Sequence, residues 1–131
     1  MLKFFKLWVP VIVWGAVIFY FSDTPYLKTG LEYDYILRKL AHIFEYLILT
    51  LLLYRAFKGS FKMHKRRVLI YPALVSFLYA ASDELHQYFV PGRSCAIKDV
   101  LIDIIGILGC YISIKILSDR RRAYILAGGL E

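Results

Sequence analysis

The stretch Ala80–Gly109, AASDELHQYFVPGRSCAIKDVLIDIIGILG, decides the fold. It opens at the end of one apolar run and closes inside another. Between them stand Asp83, Glu84, His86, Gln87 and Arg93, and Asp99 and Asp103 fall at the start of the second run. An isolated charge in hydrocarbon costs at least about 2.5–3.5 kcal/mol on insertion scales. These groups must therefore find one another, or water, if the flanking runs cross a membrane.

The rest of the chain says that they do. Of its 131 residues 60% are hydrophobic, and the mean hydropathy is +0.57. Too few polar residues remain to cover a soluble surface. Four apolar runs recur, Leu7–Ser22, Ile36–Tyr54, Val68–Ser82 and Val100–Ile114. Each reaches the roughly 20 residues a spanning helix needs once its polar end is counted. The expectation is an all-α membrane protein. It is a bundle of four transmembrane helices, over about 4–22, 35–57, 68–90 and 97–117, forming a single integral membrane domain over 1–131. Lys3 and Lys6 resemble the basic start of a secretion signal, but FYFSDTPY follows where a small-x-small cleavage site would stand. The first run thus reads as an uncleaved helix, with Pro10 near its start, where a helix tolerates proline.

Charge sets the orientation. The net charge of +7 could suggest nucleic acid, but the basic residues cluster at helix ends, and no nucleic-acid partner is expected. With a cytoplasmic N-terminus, twelve of the 17 basic residues fall inside. They are Lys3 and Lys6; Arg55, Lys58, Lys62, Lys65, Arg66 and Arg67; and Lys115, Arg120, Arg121 and Arg122. Lys28, Arg38, Lys39, Arg93 and Lys98 fall outside. The positive-inside rule then places both termini in the cytoplasm, and the basic loop YRAFKGSFKMHKRR against anionic membrane lipid. Cys95 and Cys110 are too far apart along a helix for a disulfide.

This orientation brings three polar clusters to one depth, the outer half of the bilayer. On the second helix Arg38, Lys39, His42, Glu45 and Tyr46 form a stripe at helical spacing. Asp83, Glu84, His86 and Gln87 end the third helix, before the stop at Pro91-Gly92. Asp99 and Asp103, four apart, open the fourth on a face continued by Gly106 and Cys110, whose small size allows close helix approach. With Asp34 included, six acids face Arg38, Lys39, Arg93 and Lys98, so the groups can balance across helices around a pocket open to the outside.

Bland readings compete. Lys39 and Lys98 suit snorkelling anchors, Asp103 an interhelical clamp, His42 a hydrogen-bonded core histidine, and Tyr46, Tyr79 and Tyr88 belt or packing aromatics. Their convergence favours a site. Asp83, Glu84, His42 and Glu45 are the candidates for acid–base catalysis by a buried acid. Arg93, Gln87, Asp99, Lys39 and Asp103 are the candidates for binding a ligand, Arg93 because its guanidinium fork suits a phosphate or carboxylate. No cofactor is required. A divalent metal is possible, with His42, Glu45 and His86 as weak candidates.

Two motifs carry a resemblance, RKLAHIFEYLIL (Arg38–Leu49) and DELHQYFVPGRSCAIKDVLIDIIGILG (Asp83–Gly109). In them the order and spacing of Lys39, His42, Glu45, Tyr46, Asp83, Glu84, Gln87, Pro91, Arg93, Asp99 and Gly106 resemble the VanZ family of small bacterial membrane proteins. The likeness runs from about Phe21 to Gly109. It departs at FSDTPY, where the family often has a serine-glutamine-proline stretch, and at Asp103, where asparagine is common. The resemblance implies the bacterial cytoplasmic membrane and reduced susceptibility to teicoplanin-type glycopeptides, by a mechanism that is unsettled. Two classes of function follow. One is a non-catalytic envelope factor that binds a lipid-linked cell-wall precursor or the lipoglycopeptide itself. The other is a membrane-embedded hydrolase or transferase acting on a lipid-linked phosphate or sugar. Four short helices enclose little core, which leaves room for a dimer.

Overall fold

The computed structural model describes residues 2–24, 34–91 and 97–126. Arg93 and Cys95 lie outside the described residues, so the expectations placed on them are not addressed by it. Among the described residues the chain is all helical, with α1 Leu2–Asp23, α2 Asp34–Ser60, α3 Lys65–Gln87 and α4 Ile97–Leu126. Three of these, α1, α3 and α4, are long and apolar enough to cross a membrane. The exposed surface agrees: Leu2, Ile12, Leu78, Leu101, Ile105 and Leu117 are each at least half exposed, a pattern at odds with a water-facing bundle.

Helix α2 is the hub. It packs against α1, α3 and α4, and α3 also touches α1 and α4, whereas α1 and α4 do not meet among the described residues. The bundle therefore has two sides, α1 on one and α4 on the other, with α2 and α3 between. Its apolar centre is small, with Ile18, Tyr46, Leu49, Leu53, Ala80 and Ile107 packed by Trp8, Trp14, Phe57 and Tyr79. Gly106 sets the contact of α2 with α4: a Cβ there would stand 2.2 Å from the Ile43 carbonyl oxygen. No larger residue fits without parting the helices, which matches the small-residue face expected from the sequence.

Most boundaries lie within three residues of those expected and α4 ends further out; three of the differences have a plain physical reason. Helix α1 begins at Leu2, which leaves Pro10 inside it rather than near its start. Proline has no N–H, so the Lys6 carbonyl, four residues back, loses its helical donor. Arg55 Nη2 from α2 donates to that carbonyl at 2.7 Å. Helix α3 closes at Gln87, three residues early. The turn that follows leads to Pro91, which disfavours helical backbone before it. Helix α4 runs nine residues further, to Leu126. Its Ser118-Asp-Arg-Arg-Arg-Ala segment signals a membrane exit, yet arginine and alanine are good helix formers in water.

Hydrogen bonds tie α1 to its neighbours at several levels. Trp8 Nε1 donates to Ser60 Oγ and Trp14 Nε1 to the Glu45 carbonyl, both at 2.9 Å. Tyr79 donates its hydroxyl hydrogen to the Gly15 carbonyl at 2.7 Å. In the bundle centre the hydroxyls of Thr50 and Ser76 pair at 2.8 Å. Each polar group has a named partner, as low-dielectric surroundings require.

Candidate functional site

The C-terminal ends of α1 and α3 and the N-terminal halves of α2 and α4 gather at one end of the bundle. There lie Ser22, Asp83, Glu84, Gln87 and Asp103, each at most 5% exposed. Charged side chains are rarely buried to that degree unless paired.

A cavity and a buried cluster share this end. On the α1 side is a cavity of about 300 Å³. Ile18, Phe21, Leu37 and Ala41 give it apolar walls, and Arg38, His42, Glu45, Asp83 and Gln87 supply its polar groups, with Ser22 from α1. Gln87 Nε2 donates to Asp83 Oδ2 at 3.1 Å, one helical turn away. The hydroxyls of Ser22 and Tyr46 lie beside the same carboxylate. Even so, Asp83 Oδ1, Ser22 Oγ and the Tyr46 hydroxyl are buried without a hydrogen-bond partner among the described residues.

On the α4 side, His42 Nδ1 stands 2.9 Å from Asp103 Oδ1. Glu84 is close to both, so that ligand atoms of His42, Glu84 and Asp103 all lie within 4.8 Å of one another. Asp103 is completely buried, and its Oδ2 has no partner among the described residues. Lys39 pairs with Asp99 at the edge of this cluster. His42 thus belongs to both sides: its ring reaches the cavity and joins the carboxylates of α3 and α4.

The sequence expectation was one pocket between the second, third and fourth helices. The structure instead divides those residues. His42, Glu45, Asp83 and Gln87 face the cavity against α1, and Asp103, Glu84, Asp99 and Lys39 belong to the α2–α3–α4 side. Of the weak metal candidates, only His42 lies in a cluster of ligand type. Glu45 lines the cavity, and His86 turns away to Asp23 at 3.0 Å and stacks near Phe19.

Two contributors escaped sequence reasoning. Ser22 looks like a helix-end serine, and Tyr46 reads as a packing aromatic. The signal available for Tyr46 was its place one residue after Glu45 and four after His42 on the polar stripe. For Ser22 the sequence held no comparable signal, because nothing in it fixes which helix packs beside α3.

Comparison with known proteins follows the same residues. No curated protein and no solved structure matches the chain. The family model described as VanZ/LLP1 matches residues 5–118. That span takes in α2 and α3 whole, most of α1 and α4, and every polar residue of the cavity and the cluster. The chain belongs to the VanZ/LLP1 family.

Proposed function

We propose that this protein crosses the bilayer four times with both termini in the cytoplasm and its polar end open to the outside. There the α1-side cavity holds the anionic head of a lipid-linked envelope precursor, and by doing so lowers the action of teicoplanin-type lipoglycopeptides. The observation that carries the reading is the cavity itself, a space of about 300 Å³ with apolar walls and six polar side chains. An interhelical clamp would close such a space, whereas an amphiphile needs both linings. The volume sits at the lower end for small-molecule sites. It suits a phosphate and the first units of its lipid, with a sugar head projecting outward. Arg38 supplies the cation for a phosphate; Asp83 and Glu45 accept from hydroxyl or ammonium donors.

The opposite end supports the orientation. Lys58, Lys65, Arg121 and Arg122 line a groove beside Leu117 and Ile125, a composition suited to anionic headgroups of the cytoplasmic leaflet.

The test is lipoglycopeptide susceptibility in cells carrying each variant as the only copy, at matched protein levels. Asp83→Asn removes the charge and keeps the shape, and should restore most susceptibility. Undiminished protection in both Asp83→Asn and Glu45→Gln would overturn the cavity reading.

One contact favours the enzymatic alternative. A carboxylate that holds one ring nitrogen of a histidine orients the other for proton transfer, and His42 with Asp103 has this arrangement. As a hydrolase or transferase, the protein would use His42 to activate water or an acceptor hydroxyl beside a lipid-linked phosphate. The two readings separate at Asp103→Asn: release of product from a lipid-linked substrate should vanish, while simple binding in the α1-side cavity should persist.

A further inference from the structure

We infer that His42, Glu84 and Asp103 form a binding site for one divalent cation of the manganese-to-zinc class. The inference does not rest on what fills the α1-side cavity: Glu84 and Asp103 do not line it, and His42 is the one ligand that the two share.

Three observations carry it. First, the ligand atoms come from three different helices, α2, α3 and α4, and converge within 4.8 Å. Donors sharing one ion at 2.0–2.2 Å stand at most about 4.2 Å apart. All three atoms lie within 4.8 Å of one another, so no pair needs to close by more than about 0.6 Å to meet that span. Second, Asp103 is 0% exposed, and its Oδ2 has no hydrogen-bond partner among the described residues. A buried carboxylate oxygen left without a donor or cation carries a heavy desolvation cost. Third, among the described residues the charge close to the cluster is unbalanced. Glu45, Asp83, Glu84, Asp99 and Asp103 stand near Arg38 and Lys39, and Lys39 is held by Asp99. A divalent ion offsets the excess where it is greatest.

One imidazole with two carboxylates suits zinc or manganese better than calcium, which takes all-oxygen sets, or copper(I), which prefers sulfur. The His42 Nδ1 to Asp103 Oδ1 distance of 2.9 Å marks a shared hydrogen. An ion that takes its place releases one proton to solvent, so affinity should rise with pH. Gly106, by letting α4 approach α2, brings Asp103 within reach of His42.

The experiment uses the full chain, purified in detergent without a histidine tag and stripped with a chelator. It is then dialysed against zinc or manganese alone, and metal content and thermal midpoint are read. The expected result is close to one ion per chain, a midpoint raised by the metal, and at least tenfold weaker binding in His42→Gln and Asp103→Asn. Asp103→Asn also guards against a folding failure: its amide oxygen can still accept from His42 at the same place, and it lowers the buried negative charge, so without metal it should unfold near the parent's midpoint. Less than about a tenth of an ion per chain with both metals would overturn the inference. So would Asp103→Asn that binds like the parent, or an ion lost only in His64→Gln, which marks adventitious binding at the basic loop.

Discussion

Replacing Gly106 by alanine tests the packing on which the α4 side depends. The new Cβ would meet the Ile43 carbonyl oxygen at 2.2 Å and the Leu47 nitrogen at 3.1 Å. Ordinary contact begins near 3.4 Å, so α4 must retreat from α2 by about 1.2 Å at this level. The struck atoms are backbone, and no rotamer change relieves them. If the helices part as rigid bodies, the His42–Asp103 separation grows from 2.9 Å to about 4 Å, beyond hydrogen-bond range. Overpacking costs about 1–3 kcal/mol, and a lost bond to a charged group adds about 1.5–3 kcal/mol. The helix-forming advantage of alanine over glycine returns about 1 kcal/mol. The net is a loss of about 3 kcal/mol, or roughly 5–10 °C in thermal midpoint for a chain of this size. Gly109→Ala is the matched control: nothing lies within 4 Å of its Cβ, so it should be neutral or stabilise by up to about 1 kcal/mol. The assay is thermal unfolding of both variants in one detergent. Equal midpoints for Gly106→Ala and Gly109→Ala would refute the close α2–α4 contact and the geometry built on it.

Other expectations follow from single contacts. Arg55→Ala should cost about 1 kcal/mol in the parent but much less in Pro10→Ala, where the restored N–H satisfies the Lys6 carbonyl; a double-mutant cycle without coupling would remove that account. A membrane-impermeant thiol reagent should label Cys95 on intact cells through the single accessible thiol, since Cys110 is buried. Labelling that needs broken cells would invert the topology. Arg93→Lys should insert normally yet lose most protection against lipoglycopeptides, because a point charge cannot grip a phosphate as a fork does; full protection would remove the anionic group from that position.

Hydropathy made the helices legible, because a spanning segment needs length and apolar content and both are local. It also gave the gathering of His42, Asp83 and Asp103 at one end of the bundle, since the level of a residue follows from its position along helices that alternate in direction. Azimuth is another matter. Which helices touch depends on packing between residues far apart in the chain, such as Gly106 against Ile43, and no periodicity reports it. Hence, among the described residues, the cavity at this end draws on α1 through Ser22 and Phe21, which the sequence did not foresee, while Glu84 and Asp103 cluster with His42 beside it. The end of α4 was misjudged for a related reason: a charged run marks where a helix leaves hydrocarbon, and helical backbone continues into water.

The acids of Ala80–Gly109 are housed in two different ways, and the difference bears on what they do. Polar groups elsewhere in the bundle are paired: Thr50 with Ser76, Trp8 with Ser60, Tyr79 with the Gly15 carbonyl. At the polar end pairing stops halfway. Among the described residues, Asp83 has a hydrogen bond from Gln87 on one oxygen and only the nearby hydroxyls of Ser22 and Tyr46 beside the carboxylate, and Asp103 has His42 on one oxygen and no hydrogen-bond partner on the other. A bundle shaped only for stability would complete these bonds or replace the acids with apolar residues of similar size, which is often neutral or better. Half-satisfied carboxylates in the cavity and the cluster leave acceptor capacity among the described residues, which the proposed ligand and ion would take up. The unpaired oxygen of Asp83 lies beside the α1-side cavity and that of Asp103 within the histidine–carboxylate cluster. On this account the charge in the apolar runs is tolerated because its remaining partners are a ligand and an ion.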